Sequence, residues 1–205
     1  YTTEFLRNVA LVSHGGAGKT MLAESFLHAT KATTRLGKVE DGTTVSDYDD
    51  EEHRRKISIY ASVIPIEHRD HKINVIDAPG FTDFVGEIVS ALSVADGAVI
   101  LVDAVSGVEV GTEREFREAV KRKDPVFFVV NMMDKEHADF DRVYAQIKQK
   151  LTAKVIPVQI PAGQGPTFHG VLNLYGKKAH IYKKSSKGGQ YDELDIPAEY
   201  KATFD

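Results

Sequence analysis

The sequence predicts an α/β protein whose core is a doubly wound, mostly parallel sheet with one antiparallel edge strand. Apolar runs without polar interruption are typical of strands buried on both faces, as in a parallel sheet covered by helices. Five such runs occur, at residues 9–12, 73–76, 98–102, 126–130 and 155–158. Helical patterns lie between them, and strands that alternate with helices favour this fold class.

Four helices are predicted from apolar residues that recur on one helical face. Two of them cover residues 84–94 and 112–122, and the other two are marked by the sets Leu22, Phe26, Ala29 and Phe140, Val143, Tyr144, Ile147, Leu151. A period of two residues predicts one half-exposed strand, in which Ile57, Ile59, Ala61 and Val63 alternate with Ser58, Tyr60 and Ser62. Pro65 near its end places this strand at an edge of the sheet.

Two stretches interrupt the alternation of strands and helices. Residues 31–56 form a long polar connection, and connections of that length are usually functional or mobile. After Pro161, glycines separate short strand-like pieces. We therefore expect one domain over residues 1–160 and a small β-rich subdomain over residues 161–205.

Composition narrows the range of partners. The net charge of −4 does not suit a generic nucleic-acid binder, so no sequence-specific nucleic acid is expected. The lysine-rich stretch is interpreted as a solvated hairpin; its members are Lys177, Lys178, Lys183, Lys184 and Lys187. The absence of cysteine excludes thiolate metal sites and fits a reducing cytoplasm. No apolar run reaches the roughly 18 residues of a membrane span, and we expect no membrane contact.

The most specific motif is Ser13-His-Gly-Gly-Ala-Gly-Lys-Thr20, which follows an apolar strand and opens a helix. In this context the motif predicts a P-loop NTPase, because glycines let backbone N–H groups surround phosphate oxygens and the helix N-terminus adds partial positive charge. We predict that Lys19 contacts the β- and γ-phosphates and that the Thr20 hydroxyl holds Mg²⁺. The predicted nucleotide-binding residues of the loop are His14, Gly15, Gly16, Ala17, Gly18, Lys19 and Thr20.

A second candidate, Asp77-Ala-Pro-Gly80, follows the apolar run at residues 73–76. An aspartate at such a strand end can hold Mg²⁺ through water, and the amide of Gly80 can then sense a γ-phosphate. The same pattern is also a common turn. Its position about 60 residues after the P-loop favours the nucleotide site.

A third candidate, Asn131-Met-Met-Asp134, follows the run at residues 126–130. Guanine differs from adenine in its N1–H and N2 amino donors, and one fixed carboxylate can accept from both. We therefore predict that Asp134 recognises guanine, with Asn131 as a second nucleotide-binding residue. Taken alone, Asp134 is better explained as a helix N-cap. Three motifs at three strand ends favour the nucleotide site.

Ser58 is a fourth candidate, because its hydroxyl can complete the Mg²⁺ shell when the polar connection closes. An outward serine of an edge strand explains it equally well. His14 is interpreted as a local packing residue rather than a catalyst. Residues 67–71 are interpreted as a polar hairpin loop rather than a metal site, and residues 54–56 as a solvated loop rather than an arginine finger.

Together these motifs resemble the GTP-binding domain of the elongation factor G family of ribosomal translocation GTPases. The resemblance covers nearly the whole chain and lies in residues 7–10, 37–42, 47–48, 77–84, 96–98, 104–108, 138–140, 157–161 and 170–174. Residues 37–48 resemble the first switch of the family, and residues 77–84 match the second.

Three departures from the family pattern indicate a divergent elongation factor G-like paralogue. The family's Arg-Gly-Ile-Thr becomes Arg55-Lys-Ile-Ser58, its catalytic histidine becomes Phe81, and its guanine-motif lysine becomes Met132. The resemblance assigns the catalytic positions to Lys19, Gly80 and Phe81. Because phenylalanine cannot orient water, we expect GTP hydrolysis to be slow.

The resemblance implies GTP or GDP and Mg²⁺ as cofactors, with Thr20, Ser58 and Asp77 at the metal. It also implies that residues 161–205 are the beginning of an inserted subdomain, inside which the chain is truncated, and that the protein is cytoplasmic and monomeric and engages the ribosome through domains beyond this chain. Two alternatives stay open. One is a GTP-dependent binding module that does not hydrolyse GTP, which the loss of the histidine favours. The other is an ATP-using P-loop protein or kinase, against which Asp134 argues.

Overall fold

The computed structural model describes residues 1–183 and 189–200. The chain divides into two units, one formed by residues 1–103 and 108–131, the other by residues 104–107 and the chain from residue 132 onward. Two lysines of the predicted hairpin, Lys184 and Lys187, lie outside the described residues.

The first unit contains a five-stranded sheet. Its strands are β1 (Leu6–Val12), β2 (Ser62–His68), β3 (His71–Asp77), β4 (Gly97–Asp103) and β5 (Val126–Asn131). They lie in the order β2-β3-β1-β4-β5, with β2 antiparallel to β3 and every other pair parallel. The predicted mostly parallel sheet with one antiparallel edge strand is confirmed.

Helices cover both faces of this sheet. The helices that pack on it are α1 (Lys19–Ala29), α3 (Val85–Val94) and α4 (Val110–Arg122), and a short helix, α2 (Asp50–Arg55), lies in the connection between α1 and β2. On one face α1 packs against apolar side chains such as Leu11 and Val75, and on the other face α3 and α4 pack against Ala10, Val12 and Ile100. Successive residues of β1 therefore serve opposite layers, as a doubly wound sheet requires. Its neighbours β3 and β4 lie on either side of β1, so the P-loop lies at the topological switch point.

The edge strand lies further along the chain than the alternating pattern predicted. Strand β2 begins at Ser62 and buries Ile64 and Ile66, whereas residues 57–61 are not in a strand. The reason is that backbone N–H groups in that stretch donate to side-chain carboxylates, those of Ile59 and Tyr60 to Glu52. No ladder can form while these donors are taken.

The second unit contains one long helix and a separate antiparallel sheet. Helix α5 (Phe140–Gln146) continues into a π-helical turn at Ile147–Leu151. The sheet has the order β6-β7-β8-β9, made of β6 (Gln159–Ala162), β7 (Gly170–Asn173), β8 (Lys178–Tyr182) and β9 (Tyr191–Asp195). Ala162, Leu172 and Ala179 form its buried core. The expected small β-rich element is therefore present.

The run at residues 155–158 was predicted as a further strand of the parallel sheet, and that prediction is wrong. These residues lie outside any strand, and Ile156 is 80% exposed. Pro157 removes a backbone donor from the middle of the run, which disfavours a central strand. The chain instead enters the antiparallel sheet at Gln159. Among the described residues, every helix is too short or too polar to cross a membrane.

Candidate functional site

The segment between β1 and α1 forms a compact loop whose end is set by Gly18. This residue is the N-cap of α1 with φ 91°, a left-handed conformation that a side chain would disfavour. Lys19 opens the helix, is only 6% exposed, and its Nζ donates to Ser13 Oγ at 2.9 Å. A buried cation at a helix N-terminus favours an anion such as phosphate.

Four oxygen-bearing side chains converge next to this loop. Thr20 Oγ1 donates to Asp77 Oδ2 at 2.8 Å, and Ser58 Oγ donates to Asp47 Oδ1 at 2.7 Å. The two hydroxyl oxygens lie 3.1 Å apart. Each hydroxyl has a single proton, and each gives it to a carboxylate, so their facing lone pairs are left for a cation. We call Thr20, Asp77, Ser58 and Asp47 the oxygen cluster.

The charge balance of the oxygen cluster also fits a metal ion. Asp77 is buried, and its Oδ1 has no hydrogen-bond partner within the described residues. Burial raises the pKa of Asp77 to about 6, although the nearby Lys19 acts against this shift. Burial likewise lowers the pKa of Lys19. An uncompensated carboxylate oxygen among hard oxygen donors is the environment that Mg²⁺ prefers.

Asp47 is the member of the oxygen cluster that the sequence did not identify as a ligand. It is buried, and its Oδ2 accepts from Thr44 Oγ1 at 3.1 Å. The sequence matched it to a family switch segment, but nothing local links it to Thr20. For Ser58, the alternative of an outward strand serine is wrong, because its hydroxyl points to Asp47 and Thr20.

Two buried glutamates hold the polar connection, which carries Asp47, and the residues just after it, which include Ser58. Glu24 of α1 accepts from the backbone N–H of Gly37 at 3.1 Å and of Val45 at 2.6 Å. Glu52 of α2 accepts from four backbone N–H groups, those of Tyr48, Asp49, Ile59 and Tyr60. Part of the connection is thus helix α2, and other parts are loops whose backbone N–H groups bind the two carboxylates.

The segment after β3 lies directly on the P-loop. A Cβ added at Gly80 would lie 2.6 Å from Lys19 Nζ and 2.9 Å from Gly15 Cα, so only glycine fits there. The next residue, Phe81, covers Gly15, since a Cβ there would lie 3.1 Å from the ring. The ring itself is 42% exposed. Gly80 and Phe81 therefore both lie against the backbone of the P-loop.

His14 and Asn131 hold the P-loop from the sides. His14 Nε2 lies 3.6 Å from Glu109 Oε1, and its ring lies against Gly111 at the start of α4. Asn131 Nδ2 donates to the carbonyl oxygen of Ala17 at 2.8 Å. The ring of His14 thus packs the loop against the start of α4, and the side chain of Asn131 binds the loop backbone.

Asp134 belongs to the second unit and lies in an exposed turn. Met132 has φ 61°, and the backbone N–H of Gly165 donates to the carbonyl oxygen of Met133 at 2.8 Å. These constraints shape the turn and leave the carboxylate of Asp134 exposed.

A P-loop at the switch point of a doubly wound sheet, with a buried lysine and an adjoining oxygen cluster, defines a P-loop nucleotide-binding protein. The comparisons specify the family. Residues 4–194 match the family model of the elongation factor Tu GTP-binding domain, and the chain belongs to that family, as a divergent member related to elongation factor G.

The relatives are elongation factors G. The chain is 38% identical over 198 residues to elongation factor G 1 of Bdellovibrio bacteriovorus, covering 97% of the chain and 28% of the relative. It is 38% identical over 202 residues to elongation factor G of Salinibacter ruber, covering 98% of the chain and 29% of that relative. A crystal structure from Thermus thermophilus superposes with a TM-score of 0.90 at 36% identity, covering 98% of the chain and 29% of that structure. The chain thus spans under a third of these relatives.

Proposed function

We propose that the chain binds GTP with Mg²⁺ and hydrolyses GTP slowly, as the nucleotide-binding part of a factor that acts on the ribosome. The observation that carries this proposal is the oxygen cluster beside the P-loop, in which two hydroxyls and two carboxylates meet. The family membership of the chain supports guanine nucleotide as the ligand.

The phosphates would be held by the loop of residues 14–20. The backbone N–H groups of this loop and the N-terminus of α1 supply partial positive charge, and Lys19 supplies a full one. Lys19 already lies between Ser13 and Gly80, so it needs only to exchange its bond to Ser13 for a phosphate oxygen. The amide of Gly80 would then contact the terminal phosphate.

Thr20 and Ser58 would contribute their hydroxyl oxygens to the metal, and Asp77 and Asp47 their carboxylates, directly or through water. Bound Mg²⁺ neutralises charge on the phosphate oxygens. Asp47 lies in the polar connection and Ser58 just after it, whereas Thr20 belongs to α1 and Asp77 to β3. Loss of the terminal phosphate would therefore weaken the hold on the connection, as in a nucleotide switch.

Guanine specificity is assigned to Asp134, an exposed carboxylate after β5. The test is to replace Asp134 by Asn and to measure binding of GTP, xanthosine triphosphate and ATP by titration calorimetry. The amide should weaken GTP by about 2–4 kcal/mol and strengthen xanthosine triphosphate, because the changed base presents an acceptor. Asp141→Asn, an equal change at an exposed site of α5, should alter neither. Unchanged preference for GTP in Asp134→Asn would refute the assignment.

Slow hydrolysis is proposed because Phe81 offers no polar atom to the water that must attack the γ-phosphate. The family relationship supports the ribosome as partner and, with it, a cytoplasmic location. We expect the protein to be a monomer.

Phe81 also favours an alternative function, that of a module which binds GTP and does not hydrolyse it. Multiple-turnover assays with and without ribosomes distinguish the two.

A further inference from the structure

One buried acidic side chain of the first unit has no part in the site described above. Glu115, in the middle of α4, is 0% exposed. Neither of its carboxylate oxygens has a hydrogen-bond partner among the residues that the structure describes. Its ion-pair partner is Arg114 of the same helix, at 3.6 Å. A buried carboxylate held so weakly is costly to the fold, which suggests that it serves another purpose.

The helix that carries Glu115 packs against the P-loop. Gly111 lies one turn before Glu115, and a Cβ added to it would lie 2.7 Å from His14 Nδ1. Glu109, at the N-cap of α4, lies 3.6 Å from His14 Nε2. Glu115 also interacts electrostatically with Lys19, the cation of the loop. Because residues four apart lie on the same face of a helix, Glu115 faces the P-loop side of α4 as Gly111 does, where a bound phosphate would meet its charge.

We propose that Glu115 lowers the affinity of the P-loop for nucleotide and so speeds nucleotide release. This inference rests on the proposed function, because it requires phosphate to bind at Lys19. A second anion close to Lys19 reduces the attraction of that lysine for phosphate and repels the phosphate directly. The low dielectric of the interior makes this effect large, since water cannot screen the buried carboxylate.

The effect depends on whether Glu115 is ionised. Burial raises the pKa of Glu115 to about 7, with Lys19 and Arg114 acting against that shift. The carboxyl is therefore mostly protonated at low pH and mostly ionised at high pH. Affinity for nucleotide should accordingly be greater below pH 7 and fall as pH rises through 7, with up to about half a proton taken up when nucleotide binds near pH 7.

The test compares the 205-residue chain with Glu115→Gln, which keeps the shape of the side chain and removes its charge. Dissociation constants for GDP with excess Mg²⁺ are measured at pH 6 and pH 8. We expect Glu115→Gln to bind GDP roughly tenfold more tightly than wild type at pH 8 and nearly equally at pH 6. The ionisation of the nucleotide affects both proteins equally, so the ratio of their dissociation constants reports the charge of Glu115.

Three controls separate this role from a structural one. Glu118→Gln removes an equal charge from the same helix at a site paired with Arg122, and should leave both constants unchanged. Guanosine, which has no phosphate, should bind wild type and Glu115→Gln equally. Glu115→Ala, a second uncharged variant, should reproduce the tighter binding of GDP.

Equal GDP affinity of wild type and both Glu115 variants at pH 8 would overturn the inference while leaving GTP binding intact. Tighter binding that is the same at pH 6 and pH 8 would also overturn it. Failure of every protein, wild type included, to bind GDP would refute the proposed function and this inference with it.

Discussion

Two regions of the first unit bring oxygen ligands to the same cluster, and they are built by different means. The P-loop, residues 13–20, owes its shape to glycines, to the start of α1 and to a lysine that lies against Ser13. The polar connection, residues 31–56, and the residues that follow it owe their shape to Glu24 and Glu52, which accept backbone N–H groups from distant parts of the segment.

This difference shows how one site can combine a fixed part with a movable part. Thr20 belongs to α1, which packs on the sheet, so its position should be stable against local unfolding. Ser58 is carried by a segment whose backbone bonds depend on single carboxylates, and a few broken contacts would release it. Such a division suits a protein that must hold nucleotide and report the presence of its last phosphate.

The largest expected effect is on the affinity of the P-loop, residues 13–20, for GTP. Lys19→Ala should weaken GTP binding by about 100-fold or more, because it removes a charge-assisted contact to phosphate from a buried site. Guanosine binding should not change. Titration calorimetry with both ligands measures the difference, and Lys121→Ala, which removes an exposed lysine from α4, is the control. Amide exchange over residues 48–60 should stay as in wild type, since the carboxylates there are intact.

A smaller effect is expected when the segment of residues 48–60 is loosened. Glu52→Gln replaces an acceptor by a donor opposite N–H groups, so the four backbone bonds at Tyr48, Asp49, Ile59 and Tyr60 cannot all survive. A loss of roughly 2 kcal/mol should speed amide exchange in this segment about 30-fold, as mass spectrometry can record. The Mg²⁺ concentration needed for GTP binding should also rise.

The neighbouring residue supplies a matched control for that change. Glu51 is in the same helix, but its carboxylate binds the exposed side chains of Arg54 and Arg55 and no backbone N–H group of the segment. Glu51→Gln should therefore leave exchange over residues 48–60 near the wild-type rate. Equal acceleration by both variants would show that helix α2, rather than the buried carboxylate, holds the segment.

The same contrast explains what could be predicted from sequence. The P-loop and the strands that end at Asp77 and Asn131 could be predicted from the sequence. A phosphate-binding loop and a buried strand are each formed by residues that follow one another in the chain, so local patterns reveal them. The positions of Asp47 and Ser58 depend on carboxylates such as Glu52 that capture backbone groups several residues away. No local pattern encodes those bonds, so the edge strand was placed too early and Asp47 was missed as a ligand.

The smallest effect is expected from removing the ring of Phe81, which covers the P-loop from outside. Its ring lies on Gly15 of the P-loop but remains 42% exposed, so it covers the loop only partly. It has no polar atom with which to orient water or stabilise charge. Phe81→Ala should therefore leave the basal GTP turnover nearly unchanged and speed GDP release by about two- to threefold, since only a small apolar area is uncovered.

Stopped-flow release of a fluorescent GDP analogue and single-turnover hydrolysis test both halves of this statement. Phe5→Ala, which removes another partly exposed ring that contacts His71, serves as the control and should change neither rate.

Phe81→His places a polar ring where the phenylalanine ring lies. In the full-length protein it should raise ribosome-stimulated turnover, because a positioned proton acceptor is worth on the order of 10²- to 10⁴-fold. A fall of tenfold or more in the basal turnover of Phe81→Ala would mean that the ring itself takes part in hydrolysis. Wild-type turnover on the ribosome as fast as that of an ordinary elongation factor G would mean that another group, such as His14 of the P-loop or a backbone amide, orients the water.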